Sequence, residues 1–525
     1  MRYVYEEFPY ATPGPLAGAP DPRHKAVIVG AGPIGLAMAI DLALKGVPSV
    51  VLDDNNVVSV GSRAICWAKR TLEIFDRLGI GERMVEKGVT WKVGCTRHRD
   101  EEVFNFDLLP EDGHKMPAFI NLQQYYVEEY LVARCRDFPD LIDLRFKNKV
   151  TAVRQSCENG GFAAATVETP DGAYEIEAEY LIAADGAKSP IREMMGLDFD
   201  GELFEERFLI ADIEMEADFP SERWFWFEPT FHPGQSALLH KQPDNIYRID
   251  LQLGWDADPE EEKRPENVIP RIEKVVEGRP FKLDWVSVYT FQCRRLERFV
   301  HDRVIFVGDS AHIVSPFGAR GGNGGIQDVD NLGWKLAAVL TDDADAALLG
   351  TYDEERAHGA DENIMNSSRA TKFMSPDSGA ERIFRDSVLS LAAKAPFARG
   401  MVNSGRLSLP CSYEGMALAG ADDPALPLIA APGRPCPDAP LEDGWLLEQL
   451  GDAFVVLAIN AAFPDLDGAS TVEITVEAAA AERYLGEAAS AIYLIRPDQH
   501  VAARWTEASE ETVRDALAAA RRAAI

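Results

Sequence analysis

The stretch that most constrains the fold is residues 27–36, a short apolar strand that runs into a glycine-rich turn and then a helix. Gly30 permits the tight turn, Gly32 lets the backbone approach a pyrophosphate, and Gly35 lets the helix pack on the strand. The amides at the start of such a helix favour an anion. A second apolar strand ends at Asp53, whose carboxylate can accept hydrogen bonds from a ribose. The stretch therefore predicts a doubly wound α/β unit that binds a dinucleotide.

Bulk composition narrows the class of protein. The 525 residues suffice for two to four domains, and 46% hydrophobic with 26% charged residues is typical of a soluble globular protein. A net charge of −33 argues against nucleic acid or an anionic membrane as a partner. The seven cysteines show no CxxC and no metal-type spacing, which favours reduced thiols, a cytoplasmic location and no metal site. No segment resembles a signal peptide or a membrane span.

Changes in pattern along the chain predict its organisation. Longer alternating strands follow residue 200 and predict a separate, largely antiparallel sheet inserted into the first unit. A proline- and glycine-rich stretch is interpreted as a linker before a compact αβ tail. The predicted units are a lead-in (1–24), the dinucleotide-binding domain (25–199 and 296–409), the inserted substrate sheet (200–295), the linker (410–440) and the tail (441–525).

Two further motifs follow buried strands. The first is DGxxSxxR, in which Asp185, Ser189 and Arg192 bring a carboxylate, a hydroxyl and a guanidinium together at a turn. The second is Gly308-Asp309, which leads into a loop with five glycines within residues 318–325. So many glycines are costly to order, so they indicate a backbone that approaches a ligand closely.

The three motifs in this order resemble the class A flavoprotein monooxygenases, the aromatic hydroxylases related to p-hydroxybenzoate hydroxylase and phenol hydroxylase. The loop from Ser315 to Gly325 looks most like that of the branch of 3-(3-hydroxyphenyl)propionate hydroxylase. The resemblance implies an α/β fold with a Rossmann-like FAD-binding domain of the GR2 type and an inserted antiparallel substrate sheet. It also implies a C-terminal thioredoxin-like domain, here without the redox CxxC.

The resemblance assigns residues to the cofactor. Asp53 would bind the adenosine ribose, although the family usually has Glu followed by a basic residue there and this chain has Asp53-Asp54. Arg63 and Gln124 would lie on the flavin side, and Asp309 would bind the ribityl chain. The full expected FAD set is Gly30, Gly32, Pro33, Gly35, Asp53, Arg63, Gln124, Asp185, Gly308, Asp309, Pro316, Gly321, Gly322 and Asn323.

The resemblance also implies the chemistry. NADPH or NADH reduces tightly bound FAD, O2 forms a flavin C4a-hydroperoxide, and an electron-rich phenolic ring takes the distal oxygen. The protein must exclude water, hold the ring and help the phenol lose its proton. Candidate catalytic residues are His240, Tyr289 and Arg320, and candidate substrate-binding residues are Trp67, Trp224, Trp226, Phe231 and His232. The identity of the base stays open, and we expect a homodimer.

Three alternatives stay open at this point. A flavin monooxygenase of a larger polycyclic natural product fits the same motifs, because pocket volume is not readable from sequence. A flavin-dependent halogenase is suggested by Trp224-Phe225-Trp226, which is similar to the WxWxIP signature of that group, but Glu228 replaces its Ile. Such an enzyme needs a reactive lysine, for which Lys69 is the candidate. A flavin-binding protein without turnover would bind FAD but oxidise no NAD(P)H.

Overall fold

The computed structural model describes residues 3–156, 161–254, 256–341, 344–376, 378–402, 408–475 and 478–521. Its strands are β1 (His24–Val29), β2 (Ser49–Asp53), β3 (Cys66–Ala68), β4 (Val89–Trp91), β5 (Val93–His98), β6 (Glu101–Asp107), β7 (Phe119–Asn121), β8 (Ile142–Phe146), β9 (Lys149–Ser156), β10 (Phe162–Thr169), β11 (Gly172–Ala183), β12 (Asp200–Glu214), β13 (Arg223–Phe227), β14 (Ser236–Lys241), β15 (Ile246–Leu253), β16 (Lys282–Arg295), β17 (Val300–His301), β18 (Val304–Phe306), β19 (His312–Ile313), β20 (Val455–Ile459), β21 (Ser470–Ile474), β22 (Ala491–Ile495) and β23 (Val501–Trp505). Its helices are α1 (Pro33–Leu44), α2 (Lys69–Arg77), α3 (Gly81–Lys87), α4 (Gln124–Cys135), α5 (Pro190–Met194), α6 (Pro259–Glu262), α7 (Pro265–Val275), α8 (Gly321–Leu340), α9 (Leu349–Met374), α10 (Gly379–Ala392), α11 (Pro396–Arg399), α12 (Leu446–Leu450), α13 (Ala478–Tyr484) and α14 (Glu510–Arg521).

The first sheet carries the dinucleotide-type motif. Its order is β17-β18-β11-β1-β2-β8, and β1 pairs in parallel with both β2 and β11. Strands β9 and β10 extend β11 as an antiparallel meander. Strand β1 is buried on both faces, and α1 packs beside it against α4 and α8. The predicted α/β unit is confirmed.

The second sheet is larger than the sequence patterns predict. Its order is β19-β16-β12-β15-β14-β13-β5-β6. Strands β5 and β6 come from residues 91–119, which sequence patterns indicate only as a mixed, turn-rich segment. Strand β12 lies between β15 and β16 and pairs antiparallel with both. The inserted sheet is therefore continued by strands from the first unit.

Both faces of the second sheet are covered. One face packs on α7, whose Val268 and Ile272 belong to one buried apolar cluster with Leu209, Ile249 and neighbouring side chains. On the other face, Phe225 and Phe227 pack with Phe373 of α9 and Leu389 of α10. Because successive residues of a strand point to opposite faces, adjacent residues of β13 belong to different environments.

The tail forms a four-stranded sheet of order β21-β20-β22-β23, with α14 against it. A buried ion pair joins it to the first unit: Arg496 binds both oxygens of Glu355 at 2.6 and 2.9 Å. Lys335 of α8 binds the same carboxylate at 2.7 Å. Tyr413 and Cys436, within the segment predicted as a linker, are buried. The thioredoxin-like character of the tail stays a prediction.

A helix must be both long and apolar to cross a bilayer. Within the part of the chain that the structure describes, none of the helices is both long and apolar enough to span a membrane.

Candidate active site

A cavity of about 780 Å³ lies between the carboxyl ends of the parallel strands and one face of the second sheet. It brings together the ends of β1, β2 and β11, the segment after β18, and the glycine-rich segment of residues 316–323. Of the five glycines predicted in a loop, only Gly318 precedes α8; the other four lie in the first turns of that helix. Ligands of open α/β sheets bind at this edge. Predicted site residues that line it are Gly30, Gly32, Pro33, Asp53, Arg63, Trp67, Gln124, Asp185, His240, Tyr289, Asp309, Pro316, Arg320, Gly321, Gly322 and Asn323.

The three glycines of the first turn have different surroundings. A Cβ on Gly30, whose φ is 110°, would lie 2.4 Å from the carbonyl oxygen of Ala184. A Cβ on Gly35 would lie 1.9 Å from the carbonyl oxygen of Gly30, so this glycine serves the packing of α1 on β1 and does not line the cavity. A Cβ on Gly32 would meet no heavy atom within 4 Å. Gly32 therefore leaves open space for a ligand at the N-terminus of α1.

Asp53 ends β2 beside this turn. Its Oδ2 accepts a hydrogen bond from the amide of Ala31 at 2.6 Å, and its Oδ1 accepts one from the amide of Asn55 at 2.8 Å. Burial raises the pKa of this carboxyl, and the two backbone hydrogen bonds oppose that shift. The short Asp side chain thus fixes the glycine turn as well as facing the cavity.

A polar network positions the segment that carries Arg63. The Gln124 side chain accepts a hydrogen bond from the amide of Ala64 at 3.1 Å and donates to Glu128 at 2.8 Å. Glu128 also accepts from the amide and hydroxyl of Ser59, at 2.5 and 2.7 Å. Arg63 is an exposed residue that lines the cavity. Burial raises the pKa of Asp309, and the charges of His312 and Arg63 oppose that shift. Gln124 therefore lines the cavity and also holds the segment of Arg63 and Ala64 in place.

Asp328 is a buried carboxylate that the sequence patterns did not single out. It accepts hydrogen bonds from the amide of Gly308 at 2.9 Å, from His312 at 2.7 Å and from Arg356 at 2.6 Å. Burial acts to raise its pKa, but the charges of His312 and Arg356 hold that pKa below its ordinary value. Gly308 itself, with φ at 62°, does not line the cavity. Asp328 thus holds the turn that presents Asp309.

The DGxxSxxR motif joins two of the loops. Asp185 Oδ2 accepts the amide of Ile191 at 3.0 Å, while its Oδ1 is buried at the cavity without a hydrogen-bond partner among the described residues. Arg192 does not line the cavity. It donates to the carbonyl oxygens of Ser310 and Ala187, at 3.1 and 2.9 Å. Asp185 is thus available to a ligand donor, whereas Arg192 ties this turn to the segment of Asp309.

The glycine-rich loop is held by side chains on both sides. Asn323 accepts a hydrogen bond from the amide of Ala68 at 2.9 Å and donates to the carbonyl oxygen of Cys66 at 2.9 Å. Buried Arg320 donates to Asn363 of α9 at 2.7 Å. A Cβ on Gly322 would lie 3.3 Å from the ring of Trp67. The loop therefore passes close to Trp67 with its backbone exposed to the cavity.

The cavity face of the second sheet is strongly polar. Arg248 of β15 lies opposite Asp212 on β12 and opposite His240 on β14. Arg248 binds both oxygens of Asp212 at 2.8 Å and donates to the carbonyl oxygen of Arg63 at 3.1 Å. His240 Nε2 lies 3.6 Å from Asp250 Oδ2, and burial lowers the pKa of His240 to about 4. Sequence patterns had not singled out these charged partners.

Four predicted substrate-binding residues lie elsewhere. Trp224, Trp226 and Phe231 pack in the cluster formed with α7, on the opposite face of the sheet. His232 contacts the backbone carbonyl oxygen of Gln252 at 2.6 Å. None of the four lines the cavity. For the two tryptophans the reason is strand alternation, which turns Arg223 to the cavity and Trp224 away from it. Phe231 and His232 lie after the end of β13.

Comparison with known proteins agrees with this geometry. The family model described as FAD binding domain matches residues 23–367. The chain belongs to this FAD-binding family. It is 29% identical to a 12-dehydrotetracycline 5-monooxygenase/anhydrotetracycline 6-monooxygenase of Streptomyces rimosus, over 93% of this chain and 96% of that one. It is 27% identical to a 3-(3-hydroxyphenyl)propionate/3-hydroxycinnamic acid hydroxylase of Mycolicibacterium smegmatis, over 83% and 76%.

Solved structures share the fold. A flavin-dependent monooxygenase, PieE, in complex with FAD and substrate, superimposes with a TM-score of 0.80 at 22% identity, over 96% of this chain and 100% of that one. An aklavinone-11 hydroxylase with FAD and aklavinone gives 0.76 at 22%, over 96% and 99%. The chain is a flavoprotein monooxygenase of the aromatic hydroxylase kind, with FAD as its cofactor and O2 as a co-substrate.

The residues present fit FAD. Open space at Gly32 faces the N-terminus of α1, where a pyrophosphate is favoured. The partnerless Asp185 Oδ1 suits a hydroxyl donor, and backbone from the glycine-rich loop faces the same cavity. The halogenase alternative is not favoured, because Lys69 donates to Glu73 and does not line the cavity.

Proposed function

We propose that the chain hydroxylates a phenolic aromatic compound, with NADH or NADPH as the transient reductant. The single observation that supports it most is the cavity, in which the glycine turn at residues 30–33 and the segments of Asp53, Asp185 and Asp309 face polar side chains of the second sheet. When bound, FAD supplies the reductive activation of O2. The chain's own residues bind the cofactor, orient the ring and accept or hold protons.

We assign the cofactor contacts by position. Gly32 and its neighbouring amides hold the pyrophosphate, and Asp185 and Asp309 hold hydroxyl groups of the cofactor. Gly321 and Gly322 present backbone to the flavin ring, beside Trp67. Gly35 and Gly308 act through packing and turn geometry, which the short Cβ distances of Gly35 and the positive φ of Gly308 support.

His240, Tyr289 and Arg320 are our candidates for the substrate side. Because burial lowers its pKa to about 4, His240 is neutral at neutral pH and accepts a hydrogen bond from a substrate hydroxyl. Asp250, 3.6 Å from its Nε2, stabilises the protonated ring when a proton moves there. Burial raises the pKa of Tyr289, so this phenol stays protonated and donates.

The experiment is NAD(P)H oxidation by the purified protein with phenolic acids, simple phenols and polycyclic phenols, with product mass read under isotopically labelled O2. The proposal expects ring-dependent oxidation and one labelled oxygen in the product. Consumption without labelled product for every compound, or no consumption at all, contradicts it. Asp309→Asn should lose flavin occupancy, while the control Asp302→Asn, on a turn in the same segment, should keep it.

We also propose a homodimer in the cytoplasm. Exposed apolar side chains on α10 and α11, including Phe384 and Phe397 at 56% and 75% exposure, support an interface with a second copy. Cys66, Cys95, Cys135, Cys411 and Cys436 are buried thiols, which suits a reducing compartment. Light scattering of the wild type and of Phe397→Glu tests the dimer, and a monomeric wild type contradicts it.

A further inference from the structure

Arg223 stands out on the cavity face of the second sheet. It begins β13, lines the cavity, and is only 3% exposed. Its Nε and Nη1 have no hydrogen-bond partner among the described residues, and its guanidinium carbon lies 4.6 Å from the centre of the Phe225 ring. Burying a charged group without a partner is costly, and buried guanidinium groups are ordinarily paired.

The other arginine of this face shows what a satisfied guanidinium looks like here. Arg248 makes a two-pronged ion pair with Asp212 and donates to backbone carbonyl oxygens of Ser62 and Arg63. Its charge is therefore balanced within the protein. Arg223 has no such carboxylate within ion-pairing distance among the residues described.

Burial lowers the pKa of Arg223, and the nearby Cys66 thiol and Asp250 carboxylate oppose that shift. Asp250 Oδ2 lies beside His240, and its Oδ1 is buried without a partner in the described chain. This end of the cavity thus holds a guanidinium whose Nε and Nη1 lack an acceptor and one carboxylate oxygen, Asp250 Oδ1, that lacks a donor among the described residues. A ligand with both an anionic group and a hydroxyl group would satisfy the two together.

We propose that Arg223 binds a carboxylate of the substrate, so that the enzyme acts on hydroxyaromatic acids. This rests on the proposed function and narrows its substrate class. The planar guanidinium matches a carboxylate in a two-pronged geometry that neutral rings do not offer. The hydroxyl of the same ring then faces His240 and Asp250.

The test measures binding to the holoenzyme from the change in its flavin absorbance spectrum. Each probe is an acid and its primary amide: 3-(3-hydroxyphenyl)propionate, meta-hydroxybenzoate and a larger hydroxynaphthoate. The variants are Arg223→Met, Arg223→Lys and the control Arg97→Met, whose guanidinium lies over Trp224 on the opposite face of the sheet. For at least one acid, we expect the wild type to prefer the acid to its amide about 10- to 100-fold, and Arg223→Met to abolish that preference.

Arg223→Lys should retain part of the preference and Arg97→Met all of it. Thermal unfolding checks the fold: removing a buried unpaired charge should leave the Arg223→Met melting temperature unchanged or raised. The proposal is overturned if amides bind as tightly as acids, if Arg223→Met keeps the preference, or if no acid binds. Hydroxylation of neutral phenols without dependence on Arg223 would overturn this inference and leave the proposed function standing, whereas no hydroxylation of any ring would overturn the proposed function.

Discussion

Replacing Gly32 with alanine should weaken FAD binding without weakening the fold. A Cβ there meets no heavy atom of the protein within 4 Å, and the backbone φ of −78° is one that any residue adopts. Alanine at such a site restricts the unfolded chain, so we expect the free energy of unfolding of the FAD-free protein to stay constant or rise by up to about 1 kcal/mol.

The same change at Gly35 should have the opposite outcome. Its Cβ would lie 1.9 Å from the carbonyl oxygen of Gly30 and 3.3 Å from Ala184 Cβ. The first of these contacts is with backbone, which cannot rotate away, so β1 and α1 must separate. We expect Gly35→Ala to lose about 3 kcal/mol or more of stability.

The size of the effect of Gly32→Ala on FAD follows from the hydrogen bonds it blocks. A methyl group at this position keeps a pyrophosphate away from the amides at the start of α1. Losing one hydrogen bond to a charged group costs about 1.5–3 kcal/mol, which raises the dissociation constant about 10- to 150-fold.

The assay is a fluorescence titration of the FAD-free protein with FAD, run beside thermal unfolding of the same samples. Gly350→Ala, near the start of α9, is the matched control because its Cβ also meets no heavy atom within 4 Å. Wild-type FAD affinity in Gly32→Ala would refute the assignment of the pyrophosphate site. Unfolding of Gly32→Ala to the extent seen for Gly35→Ala would refute the steric reasoning.

Three further changes test buried charges. Asp328→Asn removes the carboxylate shared by Arg356 and the Gly308 amide, so thermal unfolding should show a loss of about 3–5 kcal/mol and stopped-flow should show faster FAD release. Burial lowers the pKa of His240 to about 4, so as pH falls from about 6.5 toward 4 the unfolded state takes up the proton first and the wild type loses stability. In urea titrations over this pH range, His240→Asn should lose less free energy of unfolding than the wild type. Burial acts to raise the pKa of Glu355, but the charges of Arg496 and Lys335 lower it to about 2. The ionised carboxylate therefore contributes stability that is present above its unfolded pKa and lost as pH falls toward 2. Glu355→Gln should be about 3–5 kcal/mol less stable at neutral pH, and its stability should depend less on acid pH.

The parts of the site that sequence could predict are those where glycine or a strand end dictates the geometry. Gly30 needs a positive φ and Gly32 needs open space, and both requirements are local. Asp53 ends a buried strand and Asp309 follows one, and the carboxyl ends of parallel strands share an edge. Asp328 was missed because its three partners are distant in sequence, and its position on α8 carries no local signal.

The substrate side was harder to predict because both faces of the second sheet are buried. In an ordinary half-exposed strand, polar residues mark solvent, and the aromatic residues of β13 would mark the interior. Here one face of the sheet packs on α7 and the other adjoins the cavity. The side chains of Trp224 and Arg223, which are adjacent in the chain, therefore lie on different faces. Only the register of β13 in the sheet decides which of its two faces adjoins the cavity.

The alternation of residue types along β13, β14 and β15 nevertheless indicates which face of the sheet adjoins the cavity. Arg223, His240 and Arg248 are charged or titratable residues inside strands whose other members are mostly apolar, and Asp250 follows Arg248 at the strand period of two. A buried strand has no structural need for such residues, since each costs free energy unless it is paired. Where they recur on one face of neighbouring strands, that face adjoins a ligand or a polar network. In β13 to β15 the residues that meet this criterion are Arg223, His240 and Arg248, which line the cavity, whereas Trp224 and Trp226 lie on the opposite face.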